Sequence, residues 1–262
     1  MKNYYVSRNR MDLFAAIEAG DLARVRTLIK EGADVNEERT LARLTPLSFA
    51  VQGLSDVESA PIVKALLEAG ATVNQVDVFK DTPLIKAIIT KKPRVVIELL
   101  KKGADIHATK KGLTILYEAH YNRTLIALLL ASGADPDQET SVREYNPASY
   151  RIEPSVKKTT FQKLYLQYRP VEELNFLLQF TQANLRDIAP EQFPKMLAQL
   201  REFREFDGET YDIIEEYLEE KRADEIWKLR RPAVALWTAI RSRRGRRGGR
   251  RRATRRRSVR KD

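Results

Sequence analysis

The 262-residue chain has no cysteine and only two histidines, His107 and His120. Without cysteine there are no disulfides and no thiolate metal sites, which suits a reducing compartment. With so few histidines, metal centres and nucleophile–base triads have almost no members to draw on. His107 falls in a turn and His120 in a helix, and both read as structural. No glycine-rich phosphate loop of the P-loop or dinucleotide type occurs; the run GRRGGR sits among charges, not between a strand and a helix. The carboxylate pairs Glu215/Glu216 and Glu219/Glu220 fall on a charged helix face that reads as solvated. No apolar run approaches the length of a membrane span. The N-terminal MKNYYVSRNRMDLF lacks the apolar core of a secretory signal. The expectation is a non-enzymatic, intracellular binding protein, cytoplasmic or nuclear, with no cofactor, metal or small-molecule substrate.

Charge is abundant but unevenly placed. Residues 241–262 hold 12 Arg, one Lys and one Asp, a net of +12, whereas residues 1–240 carry −1. A dense arginine run repels itself and has nothing to bury, so this tail is expected to be disordered. Arginine's planar fork fits phosphate, and neutralising several phosphates gives salt-sensitive, sequence-tolerant binding. The candidate polyanion-binding residues are Arg243, Arg244, Arg246, Arg247, Arg250, Arg251, Arg252, Arg255, Arg256 and Arg257. The Arg/Gly mixture resembles RGG-type RNA-binding segments, without the aromatic residues that often accompany them. RNA, DNA and an anionic membrane surface stay open as targets. Upstream, residues 202–225 carry 11 Asp/Glu against three Lys/Arg, an acidic stretch able to hold the tail weakly when no polyanion is present.

The rest of the chain repeats. A paired aliphatic stretch followed by Gly-Ala recurs as TLIKEGADVN, ALLEAGATVN, ELLKKGADIH and LLLASGADPD, with glycines at 32, 70, 103 and 133. Three are preceded by a second phrase: TPLSFA, TPLIKA and TILYEA. Thr45, Thr82 and Thr114 are suited to start helices, with Pro46 and Pro83 at the first helical position, where a missing N–H costs nothing. Val63, Leu66 and Leu67, and one unit later Val96, Leu99 and Leu100, share a helix face. The glycines are placed to end those helices in a left-handed conformation. Each unit is then a helical hairpin that buries its faces only by stacking.

On these two recurring phrases, residues 12–137 resemble the ankyrin repeat family, whose period is near 33 residues. The second unit has four extra residues around Leu54–Pro61, and the fourth is two short. The implied fold is an all-α solenoid of helical hairpins with β-turn fingers. The resemblance also implies a concave protein-binding face. Carried across by position, its finger tips are Leu41, Ala42 and Leu44, then Val78, Phe79 and Asp81, then Lys110, Lys111 and Leu113. Its inner-helix positions are Phe49, Gln52, Lys86, Ile89, Glu118 and Tyr121. The competing assignment is that Leu44, Val78 or Leu113 pack against neighbouring fingers, or that MKNYYV folds over them.

After Asp137 the pattern weakens. Residues 138–158, with Pro147 and Pro154, read as a connector. Residues 159–185 read as a degenerate further unit, with Leu174, Leu177 and Leu178 on the aliphatic face. Two amphipathic segments come next, broken at Asp207-Gly208: Phe193, Met196, Leu197, Leu200 and Phe203 in the first, Ile213, Ile214, Tyr217 and Leu218 in the second. A last segment, 223–240, carries Trp227 and Trp237 and is broken at Pro232. These helices are expected either to cap the solenoid or to form a separate partner-binding domain. The organisation is therefore 1–137 repeats, 138–158 connector, 159–240 helical extension and 241–262 basic tail. Functionally it reads as an adaptor: the groove takes an unidentified protein and the tail tethers it to nucleic acid or another polyanion. The alternative is a nucleic-acid-binding structural protein whose repeats are a rigid or oligomerising body.

Overall fold

The computed structural model describes residues 13–39, 43–146 and 151–228. Helices come in antiparallel pairs. The first four pairs are α1 (Leu13–Glu18) with α2 (Leu22–Lys30), α3 (Pro46–Gly53) with α4 (Asp56–Glu68), α5 (Pro83–Ile89) with α6 (Pro93–Lys101), and α7 (Ile115–Glu118) with α8 (Arg123–Ala131). Helices α1, α3, α5 and α7 stack in order as one layer, and α2, α4 and α6 as another. The core runs between the layers and includes Ile17, Leu47, Leu66, Leu84, Val96, Leu99, Leu116 and Leu128, all buried.

The helix starts and stops obey the local chemistry. The hydroxyls of Thr45, Thr82 and Thr114 accept the backbone N–H of Ser48, Ile85 and Tyr117. Gly70 and Gly103 leave α4 and α6 with φ of 91° and 80°, a region where a Cβ is strained. The four extra residues of the second unit lengthen α4 at its start. There Ser55 and Glu58 make a reciprocal capping box. The added turn brings the Asp56 carboxylate to the N-terminus of α6, where it accepts the N–H groups of Arg94 and Val95, each at 3.2 Å.

Side chains also link one unit to the next. Asn36 accepts from Thr72 N (2.8 Å) and donates to Gly70 O (3.2 Å). One unit on, Asn74 accepts from Asp105 N (2.9 Å) and donates to Gly103 O (3.5 Å). Replacing Asn74 with alanine removes both contacts across a repeat boundary. A loss of about 1–2 kcal/mol is expected from urea unfolding, against no more than about 0.5 kcal/mol for Lys64→Ala on exposed α4 surface.

Residues 138–158, expected as a connector, instead form most of an antiparallel hairpin. Strand β3 (Glu139–Asn146) pairs with β4 (Arg151–Thr160), Glu139 opposite Thr160. The fourth unit contains the small version of the same feature, β1 (Thr109–Lys110) against β2 (Leu113–Thr114), with Thr109 opposite Thr114. In both, the last strand residue is a threonine that caps the next helix: Thr114 for α7, and Thr160 for α9 (Phe161–Tyr165) through Lys163 N. The hairpin is thus an enlarged finger. Thr140, Val142, Tyr145, Ile152, Val156 and Thr159 supply β-branched and aromatic residues suited to strands. Pro154 falls at the register irregularity opposite Arg143–Tyr145, where no ladder N–H is required.

Helix α9 and α10 (Val171–Leu178) complete a fifth hairpin, and α10 packs on α8 with Leu174 and Leu177 buried. Then come α11 (Gln182–Asp187), α12 (Phe193–Glu202) and α13 (208–228). This extension reaches back along the outer helices. Glu205 accepts the N–H groups of Arg123 and Thr124 at the start of α8, both at 2.9 Å. On α13, Tyr217 OH meets Ser132 Oγ at 2.8 Å, and Glu220 pairs with Lys101 at 3.3 Å. Of the last expected helical segment, Pro232 and Trp237 lie outside the described residues, as do MKNYYV and the whole arginine tail.

Arg123 joins the fourth and fifth units, with Nε 2.8 Å from Glu173 Oε1, and Tyr165 OH also donates to Glu173. Burial works to raise the Glu173 pKa, but Arg123 and the Tyr165 hydroxyl outweigh it and hold the carboxyl below its ordinary 4.5. A lowered folded-state pKa contributes stability that is fully present above the unfolded value. It is lost as pH falls through the folded one. The stability gap between wild type and Glu173→Gln is therefore expected to shrink between neutral pH and about pH 3, measured as urea midpoints across that range.

Candidate protein-binding site

The candidate residues lie on the fingers and on the inner helices α5 and α7. In the third finger, Asp77 N donates to Asp81 O, and Asp77 Oδ1 accepts from Phe79 N (2.8 Å) and Asp81 N (2.9 Å). The turn is tight enough to put Lys80 at φ 62°. Asp77 Oδ2 also meets Lys86 Nζ at 2.9 Å. Burial pushes the Asp77 pKa up, but Lys86 and the two amides outweigh it and hold it below the carboxylate range. With the acid used to bind its own loop, Val78 and Phe79 are left on the outside, 47% and 65% exposed.

The next finger is tied to this one. Lys110 Nζ lies 2.9 Å from Asp81 Oδ2, and both side chains are largely covered. Asp81 Oδ1 is buried and has no hydrogen-bond partner. Glu118, half-buried beside them, has its pKa raised by burial, with Lys110 opposing and Asp81 adding to the shift.

Beyond the fingers the face becomes aromatic. Ile89 at the end of α5 is 41% exposed and Tyr121, after α7, 71%. The His120 ring stands between Tyr117 (centroids 4.9 Å apart) and Tyr121 (3.7 Å). Burial lowers the His120 pKa, against the Tyr117 carbonyl on its Nδ1 and with help from Arg169. Tyr117 is raised by burial and by the nearby Glu118, Tyr121 and Tyr168. Tyr168, after α9, is 80% exposed. Scattered exposed apolar residues are ordinary, but a contiguous row of them marks a contact surface.

The expected site residues therefore separate into groups. Val78, Phe79, Ile89 and Tyr121 are exposed, as is Lys111 at the tip between β1 and β2. Asp81 and Lys110 are brought together but bind each other. Leu44, Phe49 and Leu113 are half-buried; Leu44 bridges Arg39, and Phe49 lies edge-on to Phe14 at 5.5 Å. Leu41 and all ten candidate arginines lie outside the described residues. Tyr168, near Tyr117, and Val76 are also exposed, and the repeat phrases alone do not point to them. Tyr121 lies seven residues after its capping threonine, as Ile89 does after Thr82, whereas Tyr168 lies eight after Thr160, one position off that count. Among the described residues no group of three or more His, Asp or Glu side chains is placed to hold a metal ion, and no helix is long and apolar enough to cross a membrane.

A family profile for ankyrin repeats, in three copies, matches residues 54–140. Residues 54–140 are ankyrin repeats. The chain is similar, at 31% identity over 113 residues, to the transient receptor potential cation channel subfamily A member 1 of Drosophila melanogaster. It is 38% identical over 108 residues to the serine/threonine-protein kinase VIK of Arabidopsis thaliana. These matches take in 42% and 41% of this chain but only 9% and 23% of the channel and the kinase. Among solved structures, the human ASB11 ankyrin repeat domain is 33% identical with a TM-score of 0.44, covering 50% of this chain and 58% of that one. Ankyrin repeats generally mediate protein–protein interaction, and in this chain the matched residues include the exposed Val78, Phe79, Ile89 and Tyr121.

Proposed function

We propose that this protein is a binding adaptor whose ankyrin groove takes a protein partner and whose arginine tail tethers the assembly to nucleic acid or another polyanion. The observation that carries the first half is the exposure of five large apolar or aromatic side chains, Val78, Phe79, Ile89, Tyr121 and Tyr168, in consecutive units. Aromatic side chains give large contact area at low entropic cost and are enriched among residues that dominate binding energy. Lys111 and the backbone of the long β3–β4 finger border the same face. Within the row, Val78, Phe79, Ile89 and Tyr121 make the principal contacts, and the paired Asp81 and Lys110 hold the third and fourth fingers in place beneath them. The half-buried Leu44, Phe49 and Leu113 shape the wall; Leu41, assigned to the same finger by position, lies outside the described residues.

The second half is supported by charge: a net of +12 in residues 241–262, on a body that is otherwise near neutral. A tail of this kind binds phosphates with steep salt dependence and no sequence preference. Two attachments on one chain raise each other's effective affinity when both engage. Capture from the native host with the full chain and with residues 1–240, each with and without nuclease, tests the reading. Specific proteins are expected on both chains after nuclease, and nucleic acid only on the full chain. Nucleic acid alone on the full chain, and nothing on residues 1–240, overturns it in favour of a nucleic-acid-binding structural protein.

A further inference from the structure

Three carboxylates and two ammonium groups gather where the third and fourth fingers meet the inner helices. Lys86 Nζ lies 2.9 Å from Asp77 Oδ2 and donates to Gln52 Oε1 at 3.4 Å. Lys110 Nζ lies 2.9 Å from Asp81 Oδ2. The third acid is Glu118. It sits four residues after the threonine that caps α7, as Lys86 does after the threonine that caps α5, and the two helices are neighbours in the inner layer. Glu118 is half-buried, and among the described residues its carboxylate makes no ion pair and no hydrogen bond. The charges that act on it are Lys110 and Asp81, which already hold each other. Asp81 Oδ1 is buried and receives no hydrogen bond, so Lys110 leaves this pair of acids incompletely balanced.

Aromatic rings stand beside the unpaired acid. The Tyr117 hydroxyl lies within electrostatic reach of Glu118 and of the Tyr121 and Tyr168 hydroxyls. The His120 ring centroid is 4.9 Å from that of Tyr117 and 3.7 Å from that of Tyr121, which holds the three rings as one group. Tyr121 and Tyr168 are exposed, so the group opens to solvent. Arg169 acts on His120, but it acts on the Glu173 carboxylate as well.

Taking this face as the partner's seat, as proposed above, we infer that Glu118 with Tyr117 and Tyr121 receives an arginine side chain of the bound protein. An apolar side chain set here would bury the carboxylate without a counter-charge, which is costly. An acidic or phosphorylated one would meet a corner whose two lysines are already spent on Asp77 and Asp81. A cation supplies the missing charge and is attracted by the faces of tyrosine rings. Among cations, the guanidinium fits best. It is planar, stacks on rings, is weakly hydrated and meets a carboxylate through two parallel hydrogen bonds. The lysine ammonium is compact and strongly hydrated, so covering it in a half-buried corner costs more.

The test needs no captured partner. Ring resonances of the full chain, isotope-labelled at tyrosine, are followed while N-acetyl-arginine methylamide is added, and in parallel the citrulline and lysine analogues. Saturable shifts at Tyr117 and Tyr121 are expected with arginine at millimolar concentration, several-fold weaker ones with lysine, and none with the uncharged citrulline. Glu118→Gln, which keeps the side-chain shape, is expected to abolish saturation by arginine with an unchanged urea midpoint. Glu68→Gln, on exposed α4 surface, is expected to leave it intact. Equal responses to arginine and citrulline overturn the inference, as does saturation that survives Glu118→Gln. Lysine binding as tightly as arginine overturns the choice of arginine. Rings that respond to none of the three, as they would with the chain's own arginines already seated, also overturn it. Partner binding that requires Phe79 and Tyr121 but is unchanged by Glu118→Gln would remove arginine from the site and leave the groove as the binding face.

Discussion

Phe79→Ala combined with Tyr121→Ala is expected to weaken partner binding by well over tenfold, corresponding to about 2–4 kcal/mol, while changing folding stability by no more than about 0.5 kcal/mol each. The asymmetry arises from where these rings sit. Phe79 stands on a turn held by Asp77 through its amides and through Lys86, so the loop keeps its shape when the ring is removed. Tyr121 is 71% exposed and touches mainly His120, whose own place is fixed by the Tyr117 carbonyl. Neither side chain belongs to the core, so little burial is lost in the free protein. In a complex both rings would be covered, and each would contribute apolar area and ring contacts. Titration calorimetry with a captured partner gives the affinity, and urea unfolding of the same proteins gives the stability. Unchanged affinity in the double variant would remove the aromatic face from the interface.

The largest effect on folding is expected at a residue that no binding argument singles out. Lys92 is a buried cation whose Nζ donates to Val51 O and Leu54 O, at the exposed-carbonyl end of α3. Burial lowers its pKa and the Asp56 carboxylate opposes the shift; burial in turn raises Asp56, against the amides of Val95 and Arg94. One lysine therefore closes the end of an inner helix and balances the acid that caps the next outer helix. Lys92→Met keeps the apolar stem but leaves two carbonyls without the ammonium and the buried acid with Arg94 but without one of its two cations. Removing one partner from such an arrangement costs more than the arrangement contributes, and about 2–4 kcal/mol is expected. Lys91→Met, one position earlier and exposed, is the control and is expected to stay within about 0.5 kcal/mol. Urea unfolding at neutral pH measures both. Equal midpoints for the two variants would mean that water replaces the ammonium at no cost.

The repeat framework was legible because its determinants are local. A threonine cap, a proline after it, an aliphatic pair and a glycine at fixed offsets specify one hairpin each, and they recur. The enlarged finger was hidden because Pro147 and Pro154 and the polar residues around them look like a loop. The strand signal lies in β-branched residues whose partners are up to about twenty positions away, and the proline falls in a bulge that only pairing reveals. Asp81 and Lys110 belong to different units, so nothing in either finger's sequence announces that they satisfy each other rather than a partner. Glu205 capping α8 across some eighty residues has the same character. Phe79, Ile89 and Tyr121 are exposed where position within the unit places them, whereas Tyr168 lies one position off the count that places Ile89 and Tyr121.

Affinity for a captured partner, measured at low and high salt for the full chain, for residues 1–240, and for the full chain with Phe79→Ala and Tyr121→Ala, tests the groove most directly. The account predicts that residues 1–240 keep specific affinity at high salt and that the double variant loses it. Binding that vanishes with the tail, falls steeply with salt, and is indifferent to Phe79 and Tyr121 would contradict it.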